Sequence, residues 1–297
     1  MTLQELLDQA TERLAAAPLA YGHGTTNAHD EATWLVLWQL GLPLDCDLNE
    51  SAARPITEED ARAVGALISR RIESRLPAAY LTREAWLQGV PFYVDERAIV
   101  PRSFIAELIA DGDIDGWLSD ATQQVLDLCT GNGSLAILAA MAWPEVAVTA
   151  ADLSTDALAV AQINVERHGL QDRVALIESD NLQNCAGPYD LILCNPPYVN
   201  AASMSTLPQE YRAEPEMALA GGPDGMDFVR QLLQEAPSRL SPDGVLILEI
   251  GNERPHFEAA FPQLAPVWLS TSGGEDQVLL LTAESLLLSA QADMPAP

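Results

Sequence analysis

Residues Asp190 to Asn200 read DLILCNPPYVN. Leu191, Ile192, Leu193 and Cys194 form the unbroken apolar run of a buried strand, and Asn195-Pro196-Pro197-Tyr198 follows without a spacer. A polar amide, two rigid residues and an aromatic ring therefore stand at the carboxyl end of a strand. In open α/β sheets that edge is where ligands bind. Proline fixes φ near about −65° and carries no N–H, so consecutive prolines hold their carbonyls outward with little freedom. The Asn195 side-chain oxygen and a proline carbonyl can accept both hydrogens of a planar –NH2 group, and the Tyr198 ring can stack on its face. Such a site suits an amide or amino-group nucleophile. A strand closed by a plain Pro-Pro turn would read the same way in isolation, so the flanking segments decide.

Upstream, Val125 to Leu128 has the pattern of a strand and feeds Asp127-Leu128-Cys129-Thr130-Gly131-Asn132-Gly133, a glycine-containing turn that opens a helix over Ser134 to Met141. A second strand, Val146 to Ala151, ends at Asp152-Leu153, with Asp152 nineteen residues past Gly133 and placed to accept both ribose hydroxyls of a nucleoside-bearing cofactor. Asp180-Asn181, after a third strand at Val174 to Ile177, could bound an adenine or be an ordinary turn. A helix over Asp156 to His168, a helix over Phe228 to Leu240 and a strand over Val245 to Ile250 keep the alternation going. The last pair, Val267 to Leu269 and Gln277 to Thr282, is joined through Ser272-Gly273-Gly274-Glu275-Asp276. The expected fold is α/β, a doubly wound Rossmann-like sheet ending in a hairpin.

Ahead of that sheet, Thr2-Leu3-Gln4-Glu5 fits a capping box, Asn27 or Asp30 can cap a second helix, and Thr57 with Asp60 opens a third. Ala85-Trp86-Leu87 and Phe92-Tyr93-Val94 read as a hairpin. The expected organisation is a small helical domain over 1–84, a hairpin linker over 85–100 and the sheet domain over 101–297, with Ser289 to Pro297 frayed.

Composition narrows the function. The 297 residues carry a net charge of −28, and all 15 basic residues are arginine. So acidic a chain repels phosphate backbones, which argues against direct DNA binding and favours basic partners. No apolar run approaches the ~18 residues of a membrane span, and Met1 to Ala20 lacks the pattern of a secretory signal, so a cytoplasmic location is expected. Cys46, Cys129, Cys185 and Cys194 lack metal-site spacing and read as reduced thiols, and His23, His29, His168 and His256 fall outside the motifs in surface or helix-end positions.

The strand-turn-helix with Asp127, Gly131, Gly133 and Asp152, followed by Asn195-Pro196-Pro197-Tyr198, resembles the class I methyltransferases that use S-adenosylmethionine and alkylate planar nitrogen. Within them, Arg70-Arg71, Pro77 to Thr82, Val100-Pro101-Arg102-Ser103 and Tyr211 to Glu216 look like the protein-glutamine methyltransferases. The segment 101–109 is most similar to the branch acting on a large-subunit ribosomal protein. Cys129 stands where glycine is frequent, and Phe104 where that branch commonly has proline. The resemblance implies S-adenosylmethionine as cofactor and no metal. It implies catalysis by Asn195, Pro196, Pro197 and Tyr198, with the cofactor held by Asp127, Cys129, Thr130, Gly131, Asn132, Gly133, Asp152, Leu153, Asp180, Asn181 and Asn195. Arg102 and Glu107 would support the site from behind. The implied partner is a basic ribosomal protein, ribosomal protein three. Release factors, or the amino group of a nucleic-acid base, are the alternative acceptors, and a noncatalytic cofactor-binding module is the rival of another class.

Overall fold

The computed structural model describes residues 1–292. The chain opens with five helices, α1 (Leu3–Ala15), α2 (Ala28–Gln39), α3 (Leu48–Ser51), α4 (Glu58–Ser74) and α5 (Ala78–Thr82), followed by a hairpin of β1 (Ala85–Leu87) and β2 (Val90–Phe92). After α6 (Ile105–Asp111) come β3 (Gln124–Leu128), α7 (Ser134–Ala142), β4 (Ala147–Asp152), α8 (Thr155–Arg167), β5 (Val174–Glu178) and β6 (Tyr189–Cys194). The remainder is α9 (Ala201–Thr206), α10 (Asp227–Glu235), β7 (Leu240–Glu249), α11 (Arg254–Ala260), β8 (Val267–Thr271), β9 (Gly274–Thr282) and α12 (Ala283–Ala292).

Strands β3 to β9 form one sheet in the order β5-β4-β3-β6-β7-β9-β8, parallel through β7 and antiparallel at the β7–β9 and β9–β8 pairs. This is the doubly wound sheet with a terminal hairpin that the sequence pattern predicts. Alternation with period two splits the strand side chains between two cores. Val125, Leu191, Leu193, Val245 and Ile247 pack with α6, α7 and α8, whereas Leu126, Ile192, Leu246 and Leu248 pack with α10, α11 and α12. A third core unites α1, α2, α4 and α5 with Val94 and Val100 from the chain entering the sheet.

Local chemistry explains most boundaries. Thr2 and Glu5 form the reciprocal capping box of α1, Asn27 caps α2, and Thr57 caps α4. The hairpin is tighter than its apolar residues suggest, because Gln88 and Gly89 both take positive φ and make a two-residue turn. Pro91 therefore lies in β2 opposite Trp86, which a two-stranded ribbon tolerates because one side of the strand is unpaired. α10 stops at Glu235 rather than Leu240, since Pro237 cannot continue it, and β7 starts earlier in consequence. Ser289 to Ala292 extend α12 instead of fraying, and 293–297 lie outside the described residues.

Charge joins the helical layer to the sheet. Glu210, fully buried, accepts hydrogen bonds from Arg75 Nε at 2.5 Å and Nη2 at 2.7 Å, from Arg71 Nη1 at 3.4 Å and from the Ala20 N–H at 3.2 Å. Arg71, 1% exposed, also donates to Glu31 at 2.8 Å. Four residues on, Glu214 forms a two-pronged pair with Arg102 at 2.6 and 2.7 Å and accepts the Val100 N–H at 2.9 Å. Burial would raise the Glu214 carboxyl, but Arg102 and His23 outweigh it and hold the group at about 2. A carboxyl depressed from its unfolded value of about 4.3 adds stability above that pH and loses it as pH falls toward about 2. Glu214→Gln should therefore lower Tm by several degrees at pH 7, where it leaves Arg102 unpaired. It should also flatten the decline in Tm between about pH 4.3 and about pH 2. Thermal melts across that range check both; an acid limb as steep as the native one would assign the effect to other carboxylates.

Candidate active site

β3 and β6 are parallel neighbours with Leu128 opposite Cys194, and the connections leave them in opposite directions, β4 and β5 to one side and β7 to the other. The loops following both strands thus emerge together at the switch point of the sheet. A cavity of about 410 Å³ opens there. Its lining includes Cys129, Thr130, Gly131, Asn132, Asp152 and Leu153, with Asp180 and Asn181. Asn195, Pro196, Pro197 and Tyr198 line the same cavity.

Two residues expected to touch the cofactor, Asp127 and Gly133, lie outside the cavity lining. Asp127 is 1% exposed and outside the cavity lining; its Oδ2 accepts the Thr130 hydroxyl at 2.5 Å and the Ala136 N–H at 2.9 Å, tying β3, the loop and α7 together. Burial lifts its carboxyl to about 7, against the pull of those two donors. Gly133, at φ 83°, is needed for packing: a Cβ there would lie 3.1 Å from Ala161 Cβ of α8. Gly131 does line the cavity, again at positive φ. Cys129 holds φ 62° without being glycine, in a region that favours glycine. The left-handed conformation costs an L-residue about 1–2 kcal/mol.

Asp152 is fixed by two backbone donors, Gly131 N–H on Oδ2 and Ser154 N–H on Oδ1, each at 2.9 Å. Each oxygen keeps a lone pair for a diol. Burial raises its carboxyl despite those donors. Asn181, 2% exposed and at φ 50°, leaves Oδ1 without a partner, and Asn132 does the same with Nδ2. Buried polar atoms normally find partners, so these two orphans suit a ligand rich in donors and acceptors such as a nucleoside. Asn164 escaped sequence reasoning. It lies fully buried on the apolar stripe of α8, donates to the Asn132 and Tyr93 carbonyls at 2.8 and 2.9 Å, and accepts the Tyr93 N–H at 2.7 Å. A lone amide on that stripe was the available signal.

The acceptor wall is rigid by close approach. A Cβ at Gly221 would stand 2.7 Å from Tyr198 Cα, one at Gly225 2.2 Å from the Tyr198 carbonyl oxygen, and one at Gly251 2.6 Å from the Tyr198 ring. The glycine-dense stretch 221–225 was the unread signal for this cradle. Val199 then bonds across to the 219–221 segment at 2.8 and 2.9 Å. Beyond it, Arg102 lies over the Tyr211 ring at 5.3 Å from its centroid, and the His23 ring packs against it at 4.3 Å. His23 is 3% exposed and 3.4 Å from Glu214, so it is an interior group and not the surface residue its sequence context suggests. Arg102 lines the cavity, whereas Glu107 accepts from Ser272 at 2.5 and 2.9 Å and anchors the β8–β9 turn. Phe104 packs under Gly273 in that same turn.

The site can thus seat a nucleoside against Asp152 and Asn181 and a planar amide against Asn195. Among the described residues no cluster of three or more His, Cys, Asp or Glu side chains could hold a metal, and no helix is long and apolar enough to cross a membrane.

Residues 116–214 match the family model described as "Methyltransferase small domain". The chain is 56% identical over 288 residues to a ribosomal protein uL3 glutamine methyltransferase of Bordetella pertussis, with 96% of each chain covered. It is 52% identical to the protein of that name in Burkholderia pseudomallei, covering 96% of this chain and 95% of the relative, and 49% identical to that of Neisseria gonorrhoeae, covering 96% of each. The hMettl16 catalytic domain, solved in complex with a 3'UTR hairpin, shares the fold at a TM-score of 0.51 and 13% identity, covering 76% of this chain and 81% of that one.

Asp152→Ala should remove a charged acceptor worth roughly 1.5–3 kcal/mol, weakening S-adenosylmethionine binding at least about tenfold. Calorimetry reads this directly, and unchanged affinity would move the ribose site elsewhere.

Proposed function

The chain belongs to the ribosomal protein uL3 glutamine methyltransferases, and from that premise we propose that it methylates the side-chain amide nitrogen of a glutamine in free ribosomal protein uL3, with S-adenosylmethionine as methyl donor. One observation carries the chemistry. Asn195, whose side-chain amide makes no hydrogen bond to a described residue, lines with Pro196 and Tyr198 the same cavity as Asp152 and Asn181. An acceptor pair for a planar –NH2 and a nucleoside seat therefore share one cavity.

S-adenosylmethionine supplies an electrophilic methyl group on a sulfonium. The protein's part is alignment. An amide nitrogen is a weak nucleophile because its lone pair is delocalised, so acceptors on Asn195 and Pro196 orient it, and Tyr198 covers its face. Holding two reactants in line can lower a barrier by about 7–11 kcal/mol in favourable cases. We assign Cys129 to Asn132, Asp152, Leu153, Asp180 and Asn181 to holding the nucleoside and its methionine portion, with Asp127 and Gly133 shaping the loop beneath.

Recognition follows charge. At −28 the enzyme attracts a basic ribosomal protein before assembly buries it in RNA, with an association rate that falls as salt rises. On that timing we assign the reaction to the cytoplasm. We assign 1–84 to receiving the protein substrate, 85–100 to linking, and 101–297 to methyl transfer. The same acidity disfavours a base in DNA or RNA as acceptor.

Asn195→Ala should cut turnover about 100-fold or more while leaving Tm and cofactor affinity nearly unchanged, because a strand-end side chain is lost without opening a core cavity. Near-normal turnover would refute the amide-holding role. Purified enzyme with labelled cofactor should label free uL3 in preference to a release factor or naked RNA. Preferred labelling of the release factor would reassign the substrate, and labelling of RNA alone would end the protein-glutamine reading.

A further inference from the structure

Glu249 closes β7 one residue past Leu248, which pairs with Cys194, so it stands level with Asn195 at the edge of the sheet. It is 2% exposed, and among the described residues no basic side chain forms an ion pair with it. Three donors converge on it instead. Oε2 accepts the Ser103 hydroxyl at 2.6 Å and the Phe104 N–H at 2.9 Å, while Oε1 faces the Tyr198 hydroxyl at 3.4 Å. Burial raises its carboxyl to about 7, tempered by those donors. A buried carboxyl without a cation is a poor device for stability alone, because desolvation of the charged form is only partly offset.

Two of its three donors line the same cavity. Ser103 lines it with Pro101 and Arg102 ahead of α6, and Tyr198 lines it from the loop after β6. The Tyr198 ring is confined at its face by Gly251 and at its backbone by Gly221 and Gly225, which leaves the hydroxyl tip to be fixed by Glu249. We propose that Glu249 is a positioning residue for methyl transfer, bracing the Tyr198 hydroxyl against the Ser103-Phe104 loop so that the ring holds the acceptor amide in line. This rests on the glutamine-amide reading above. Loss of the brace leaves the ring in its cradle but frees its tilt, and the stacked amide turns with it. Displacements on the order of 1 Å are enough to cost up to about 100-fold in rate.

The test is a cycle of Tyr198→Phe, Glu249→Ala and the double variant, with Glu249→Gln as the conservative replacement, each assayed on free uL3. Tyr198→Phe should lower kcat about three- to tenfold, the span of one hydrogen bond, with cofactor affinity unchanged. Glu249→Ala should lower kcat at least as much in the native background but add little to Tyr198→Phe. Glu249→Gln should recover part of the loss, since its amide can accept from the 103–104 loop and donate to the tyrosine oxygen. Additive losses, or a Glu249 effect confined to Tm and cofactor affinity, would make Glu249 structural and overturn the inference. Should Glu249→Ala fail to fold, native kcat in Tyr198→Phe overturns it equally. If the native enzyme does not label uL3, the glutamine reading falls first and takes this inference with it; native labelling with an additive cycle sinks the inference alone.

Discussion

Two carboxylates taken out of water, Glu210 and Glu214, govern how the halves of this molecule meet. A buried charge is tolerable only when paired and hydrogen-bonded, so the segment carrying them can dock only where Arg71, Arg75 and Arg102 present their guanidinium groups. Arg71 and Arg75 belong to the helical layer, and Arg102 to the loop that walls the cavity. The ring of Tyr211, between the two acids, is gripped by Arg102 and His23. Planar, permanently charged forks suit such two-pronged contacts better than an ammonium would, and in this chain arginine supplies every side-chain cation apart from histidine. Acidity outside and arginine pairing inside are thus separable facts: the first concerns partners met at a distance, the second the junction of two layers.

The sheet and most of its loops were legible because their signals are local. Four-residue apolar runs, glycines at the end of β3 and an acid at the end of β4 each say what they are within a dozen residues. What escaped was decided at long range. Nothing in the surroundings of His23 announces Glu214, and nothing beside Asn164 announces Asn132 and Tyr93. Glu249 looks like the polar end of a strand until Ser103 and Tyr198 are folded onto it. For a related reason the pattern shows Asp127 as an acid at a strand end but not which way its carboxylate turns, and here it turns inward to the Thr130 hydroxyl and the Ala136 N–H.

Glycine and its substitutes mark where backbone, not side chain, sets the geometry. Gly221, Gly225 and Gly251 exist to let Tyr198 approach, and Gly273 to let Phe104 fill the space beneath the β8–β9 turn. Cys129 shows the limit of the rule. A short side chain at φ 62° keeps the loop in place at a modest conformational cost, and the loop is held there by Asp152 accepting from Gly131 on one side and by Asn164 on the other.

The pairing of Leu128 with Cys194 has a consequence in time. Those residues lie 66 positions apart, and the segment that closes over them is bound to helix α4 across 139 positions through Arg71 and Glu210. Closing contacts of such span waits on chain entropy, so helices α1 to α5 can form early while the two loops of the cavity come together late. During synthesis, a nascent chain that has emerged only as far as β5 carries Cys129 to Asn132, Asp152 and Leu153 of the cavity lining but neither Asn181 nor Asn195. Neither part of the cavity is therefore complete until the chain beyond β5 has joined the sheet.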